Sequence, residues 1–103
     1  MNTTNNRSAA SRPVDLKNIK ISDRYWQSYV DLVNNTILPY QWEALNDRVP
    51  DAEPSYCIRN FRIAAGLEAG DFSGFVFQDT DLYKWLEAIG YSLANKPNGD
   101  LEK

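Results

Sequence analysis

The stretch Phe72-Ser73-Gly74-Phe75-Val76-Phe77-Gln78-Asp79-Thr80-Asp81-Leu82-Tyr83-Lys84-Trp85-Leu86-Glu87-Ala88-Ile89-Gly90-Tyr91-Ser92-Leu93-Ala94 decides the fold. Its second half has the spacing of an amphipathic helix. Leu82, Trp85, Leu86, Ile89 and Leu93 fall at i, i+3, i+4, i+7 and i+11, which puts them on one face. Asp79, Thr80 and Asp81 stand just before that stripe as N-cap candidates, with a charge that suits the positive end of a helix dipole. Asn95 and Pro97 are stop signals. The spacing predicts a helix over 80–94. Ahead of it, Phe72, Phe75 and Phe77 crowd a short loop around Gly74, so the rings either pack onto something or line something.

Outward from this stretch the same logic finds three more helices. Ser22 and Asp23 are N-cap candidates for a helix from about Asp23 to Thr36, with Trp26, Tyr29, Val30, Val33 and Ile37 on its stripe. Pro39 belongs at a first helical position, so a second helix is predicted from there to about Asp47. Arg48–Pro54 reads as a loop. Ser55 is the expected cap of a third helix from Tyr56 to Ala65, which Gly66 ends. Residues 1–13 lack an apolar pattern and read as a disordered tail. Val14, Leu16, Ile19 and Ile21 alternate loosely and read as one short strand, for which no partner strand of similar quality is visible. The class is all-α with one possible N-terminal strand.

Composition limits the chemistry. The length of 103 residues allows one small domain. Residues 1–20 hold four Lys/Arg against one acid, and residues 21–103 hold seven against thirteen. A mildly acidic body with thirteen aromatic side chains favours a neutral polar ligand such as a sugar over nucleic acid. No run of about 18 apolar residues spans a bilayer. No apolar leader is visible, and the lone Cys57 cannot form an internal disulfide, so the expected location is cytoplasmic. Histidine is absent, which excludes Ser-His-Asp or Cys-His catalysis and any His metal site within these residues.

Each candidate site has a plain structural reading beside it. Asp79-x-Asp81 is a fragment of a calcium loop pattern, but Leu82, Tyr83 and Lys84 supply none of the further oxygens, so capping is the preferred role. Glu68, Asp71, Asp79, Asp81 and Glu87 are available for acid/base work but lie in stretches that signal no burial. Cys57 has no His to activate it and reads as a small buried or half-buried thiol. Trp26, Phe61 and Trp85 sit at helical spacing and read as core. Phe75 and Phe77 lie on a loop beside Gln78 and Asp79, where stacking on a sugar competes with packing.

Four segments carry a family resemblance. Ile37-Leu38-Pro39-Tyr40-Gln41-Trp42-Glu43 resembles the IPYQWE segment of glycoside hydrolase family 127, the β-L-arabinofuranosidase family. Ile58-Arg59-Asn60-Phe61-Arg62-Ile63-Ala64-Ala65-Gly66 is similar to its NFRxAAG segment. The run from Phe77 to Ala88 resembles its F-x-D-S/T-D-V/L-Y-K-W segment, and Ile21–Trp26 its I/V-x-D-x-F-W opening with Tyr25 for Phe. The matches keep their order over roughly Lys17 to Ala94. The resemblance implies the N-terminal helices of an (α/α)6 barrel, incomplete in this chain, in a much longer protein whose β-sandwich domains can take up an N-terminal strand. It implies retaining hydrolysis of terminal β-L-arabinofuranosyl units by a cysteine nucleophile held on zinc by further cysteines and a glutamate. Those residues lie downstream of the matched region; Cys57 aligns with none of them, and the family's histidines are missing here. The resemblance places Phe77, Gln78 and Asp79 at the sugar-binding end of the barrel, with Phe77 against the pentose and Asp79 mainly capping. It assigns no catalytic residue and no metal ligand to this chain. The expected partner is an arabinofuranoside carbohydrate, met by the full-length protein; the alternative is a stand-alone helical module binding a sugar or a protein.

Overall fold

The computed structural model describes residues 11–103, which are helical and contain no strand. Apart from positions 11–13, which are exposed, the predicted tail lies outside the described residues. The strand predicted over Val14–Ile21 is a correction. A 3-10 turn occupies Leu16–Asn18, closed by Asn18 N–H to Asp15 O at 2.8 Å and Ile19 N–H to Leu16 O at 3.1 Å. A lone strand leaves its ladder groups unpaired, and no second strand among the described residues offers partners.

Helix α1 runs Arg24–Leu32 and is capped by Asp23, whose carboxylate accepts the Trp26 N–H at 2.8 Å. The break expected before Pro39 does not occur. A wide π turn over Val33–Ile37 joins α1 to α2, Leu38–Leu45, without leaving the helical rod. Pro39 has no N–H, and its ring presses on the carbonyl four residues back; an inserted wide turn relieves that conflict without a loop. Arg48 then closes the end of α2 with a two-pronged hydrogen bond to Glu43, both contacts 2.7 Å.

The loop to α3 is braced by Asp47. Its carboxylate accepts the backbone N–H groups of Ser55 and Tyr56. Helix α3, Cys57–Ala64, therefore starts one residue later than expected. Tyr56 takes the cap position in a left-handed conformation (φ 58°), and the Ser55 hydroxyl gives only a 3.4 Å contact to Cys57 N–H. Gly66 ends α3 as expected. At φ 72° it lets Leu67 N–H reach Arg62 O and its own N–H reach Ile63 O, which is a Schellman closure.

Helix α4, Asp79–Asn95, is the long element the stripe predicts. Its start corrects the assignment of a cap to Asp79, Thr80 or Asp81. No side chain caps the helix. The N–H groups of Gln78, Thr80 and Asp81 bond to carbonyls three residues back, so a tight backbone turn satisfies the donors a cap would have taken. Asp79 and Asp81 remain in the first turn, where their charge suits the dipole.

The core is small. Leu38, Leu45, Cys57 and Ile89 are its buried apolar residues, joined by the polar pair Asn34 and Ser92. α4 packs on α2 and α3, and the 3-10 turn lies against α4. Trp85 stacks on Trp42 with centroids 4.7 Å apart and donates its indole N–H to Leu38 O at 3.0 Å. Of the predicted α4 stripe, Ile89 is buried, Leu82, Trp85 and Leu93 are half-buried, and Leu86 stays exposed. Trp26 also departs from its expected core role and is 58% exposed. The chain exposes 8710 Å², against about 5,900 Å² for a folded monomer of its mass.

Candidate functional site

The helices bring the aromatic loop to the N-terminal end of α4 and fix it there. Asn60 on α3 clamps Ser73 twice: its amide nitrogen donates to Ser73 O at 2.8 Å, and its amide oxygen accepts Ser73 N–H at 3.1 Å. The Cys57 thiol donates to Gln78 O at 3.1 Å. Gly74 (φ 86°) makes the turn between these anchors. That positive φ is what favours glycine here; a Cβ would also meet the Gln78 amide, the end of a flexible side chain that can move aside.

The three predicted site residues are placed differently. Phe77 is exposed and lies parallel to Phe75, with centroids 5.3 Å apart and planes within 8°. Gln78 is half-buried, and its amide oxygen accepts the Phe75 N–H at 3.2 Å, so it holds the loop that presents the rings. Asp79 is exposed and borders an open cavity of about 280 Å³ lined also by Cys57, Asn60, Phe61, Val76 and Tyr83. Phe61 and Tyr83 meet edge to face at 6.0 Å in its wall. The structure thus gathers Asp79, Phe72 and Val76 of the loop and α3 around one concavity, while Phe75, Phe77 and Gln78 do not line it and the two Phe rings stack on each other.

Flat rings beside hydrogen-bonding groups suit a polar ligand with an apolar face. Burial pushes the Cys57 thiol above its ordinary pKa, and the nearby charges of Asp81, Asp79 and Asp47 act in the same direction. Such a thiol is a poor nucleophile. Among the described residues no three His, Cys, Asp or Glu side chains come together to hold a metal ion, so these residues do not fit the zinc centre that the resemblance implies. No helix of the described residues is long and apolar enough to cross a membrane.

Asn60, Asp47 and the pair Asn34–Ser92 carry roles that no motif announced. Each reaches a partner distant in sequence, Asn60 across 13 positions and Asn34 across 58. Neither helical period nor turn chemistry records such a partner.

Comparison with known proteins places the chain in a family. The family model for the β-L-arabinofuranosidase, GH127 catalytic domain matches residues 18–103. A non-reducing end β-L-arabinofuranosidase of Bifidobacterium longum subsp. longum is 34% identical over 97 residues, covering 82% of this chain and 15% of that protein. The crystal structure of a GH127 β-L-arabinofuranosidase from Geobacillus stearothermophilus T6 superposes with a TM-score of 0.79 at 56% identity, over 82% of this chain and 13% of that one. The chain thus spans about one seventh of the length of these relatives. The chain belongs to glycoside hydrolase family 127, the β-L-arabinofuranosidase family, and matches an N-terminal portion of its catalytic domain.

Proposed function

We propose that this chain serves as the N-terminal portion of a retaining glycoside hydrolase that removes terminal β-L-arabinofuranosyl units, and that it is inactive alone. Its helices form the first part of an (α/α)6 barrel. Phe77 packs against one face of the pentose, Gln78 holds the loop and Asp79 offers a hydrogen-bonding rim. The family's zinc and its cysteine ligands are supplied by the rest of the protein, since the residues here fit no such centre. The observation that carries this is the catalytic-domain match over residues 18–103, the span that contains the exposed ring pair at the start of α4.

The test is a hybrid enzyme. Residues 18–103 replace the matching segment of the Geobacillus relative, whose 56% identity favours correct packing. The hybrid is expected to hydrolyse terminal β-L-arabinofuranosides, while the isolated chain does not. Within the hybrid, Phe77→Ala is expected to raise KM about tenfold with kcat little changed, because a stacking contact binds ground state and transition state alike. A folded hybrid without activity contradicts the proposal; an unchanged KM removes Phe77 from the site.

A further inference from the structure

Helix α1 carries its apolar side outward. At about 100° per residue, Val30, Gln27 and Asp31 share one side of the helix and are half-buried. That side is largely polar. Gln27 donates to Asp31 at 2.9 Å, and one turn further Asn34 is buried and accepts from the Ser92 hydroxyl at 2.6 Å. The opposite arc, roughly 120° wide by the same spacing, holds Trp26, Val33, Tyr29, Tyr25 and Leu32 and no charged residue. The Tyr25, Trp26 and Tyr29 rings touch one another, with centroids 5.2 to 6.0 Å apart. They are 62%, 58% and 48% exposed, and none of the nine residues of α1 is buried.

A helix with water on that side would be polar there, and a contiguous exposed aromatic patch marks an interaction surface. The absence of charge in the arc argues against a polyanion as the occupant. The match to a catalytic domain includes α1, and the chain spans about one seventh of its relatives' length. We infer that the Tyr25–Trp26–Tyr29 face of α1 is the docking surface for the remaining part of the family 127 catalytic domain. This rests on the reading that the chain works inside such a hydrolase. The covering surface is apolar at its centre and offers hydrogen-bond acceptors at its edge, because the two phenol O–H groups and the indole N–H need partners once water is excluded.

The double substitution Trp26→Ala/Tyr29→Ala tests this in two settings. In the isolated chain both rings are exposed, so the whole thermal unfolding curve is expected to superpose on that of the parent chain. In the hybrid enzyme the rings are buried, and the midpoint is expected to fall by about 5 °C or more. Trp26→Phe, which keeps a ring, should fall between the hybrid and its double variant. Equal small effects in both settings overturn the inference, as does a stable dimer of the isolated chain that the same substitutions disrupt. An active hybrid that is insensitive to them overturns this inference alone. A hybrid that fails to fold or to act overturns the functional reading and this one with it.

Discussion

Asn34 and Ser92 meet inside the molecule, Ser92 Oγ donating to Asn34 Oδ1 at 2.6 Å with both residues buried. Ser92→Ala strands a buried amide oxygen, so chemical denaturation of the hybrid enzyme should show a loss of about 1–3 kcal/mol, more than the missing hydrogen bond alone would cost. Cys57 gives a prediction in pH. Its pKa is raised by burial, so the folded chain keeps the thiol proton to higher pH than the unfolded chain does. The stabilising difference is whole below the ordinary thiol pKa and is lost as pH rises from there through the folded value. The stability gap between the native chain and Cys57→Ala should therefore narrow in alkali, and a gap constant from pH 7 to 10 would count against it. Cys57 was legible in the sequence as a buried or half-buried thiol, since a lone cysteine without a base on a helix face has little else to do, and the fold decides for buried. The Asn34–Ser92 pair was not, because both residues look like surface polar positions until α4 is folded onto the rod.

At the scale of elements, the period-3.6 signal located all four helices, and Gly66 and Asn95 marked two of their ends. The failures have physical causes. Pro39 was expected to separate two helices, but the π turn over Val33–Ile37 absorbs it within one rod. Deleting Asn35, an exposed residue of that turn, removes the extra residue, so the turn closes to ordinary α-helical width and the Pro39 ring is pressed back on the carbonyl four residues before it. That conflict is expected to destabilise the chain by about 3 kcal/mol despite the removal of a solvent-facing side chain. A deletion variant as stable as the parent would show that the wide turn is dispensable. Trp26 was misplaced for a different reason. Periodicity reports that a helix has an apolar face and says nothing about which body covers it, and here the chain's own helices meet the polar side. The candidate site was partly legible: the exposed rings of Phe75 and Phe77 follow from an aromatic loop around Gly74, whereas the clamp from Asn60 depends on the approach of α3.

For the whole molecule, the radius of gyration is 18.7 Å, where a self-contained domain of about 100 residues measures about 13 Å. Four buried apolar residues make a thin core, and aromatic surface lies open at α1 and at the loop before α4. A flat body of 51 × 50 × 23 Å with two such faces fits a role inside a larger catalytic domain, one face docking and the other meeting a ligand. The isolated chain should accordingly unfold over a broad transition and bind apolar dyes, and a sharp two-state transition would speak for an independent module. The most direct measurement is the intact mass of the natural product that carries this sequence. The account predicts a protein several times heavier than 11.8 kDa; a stable natural product of 11.8 kDa would contradict it.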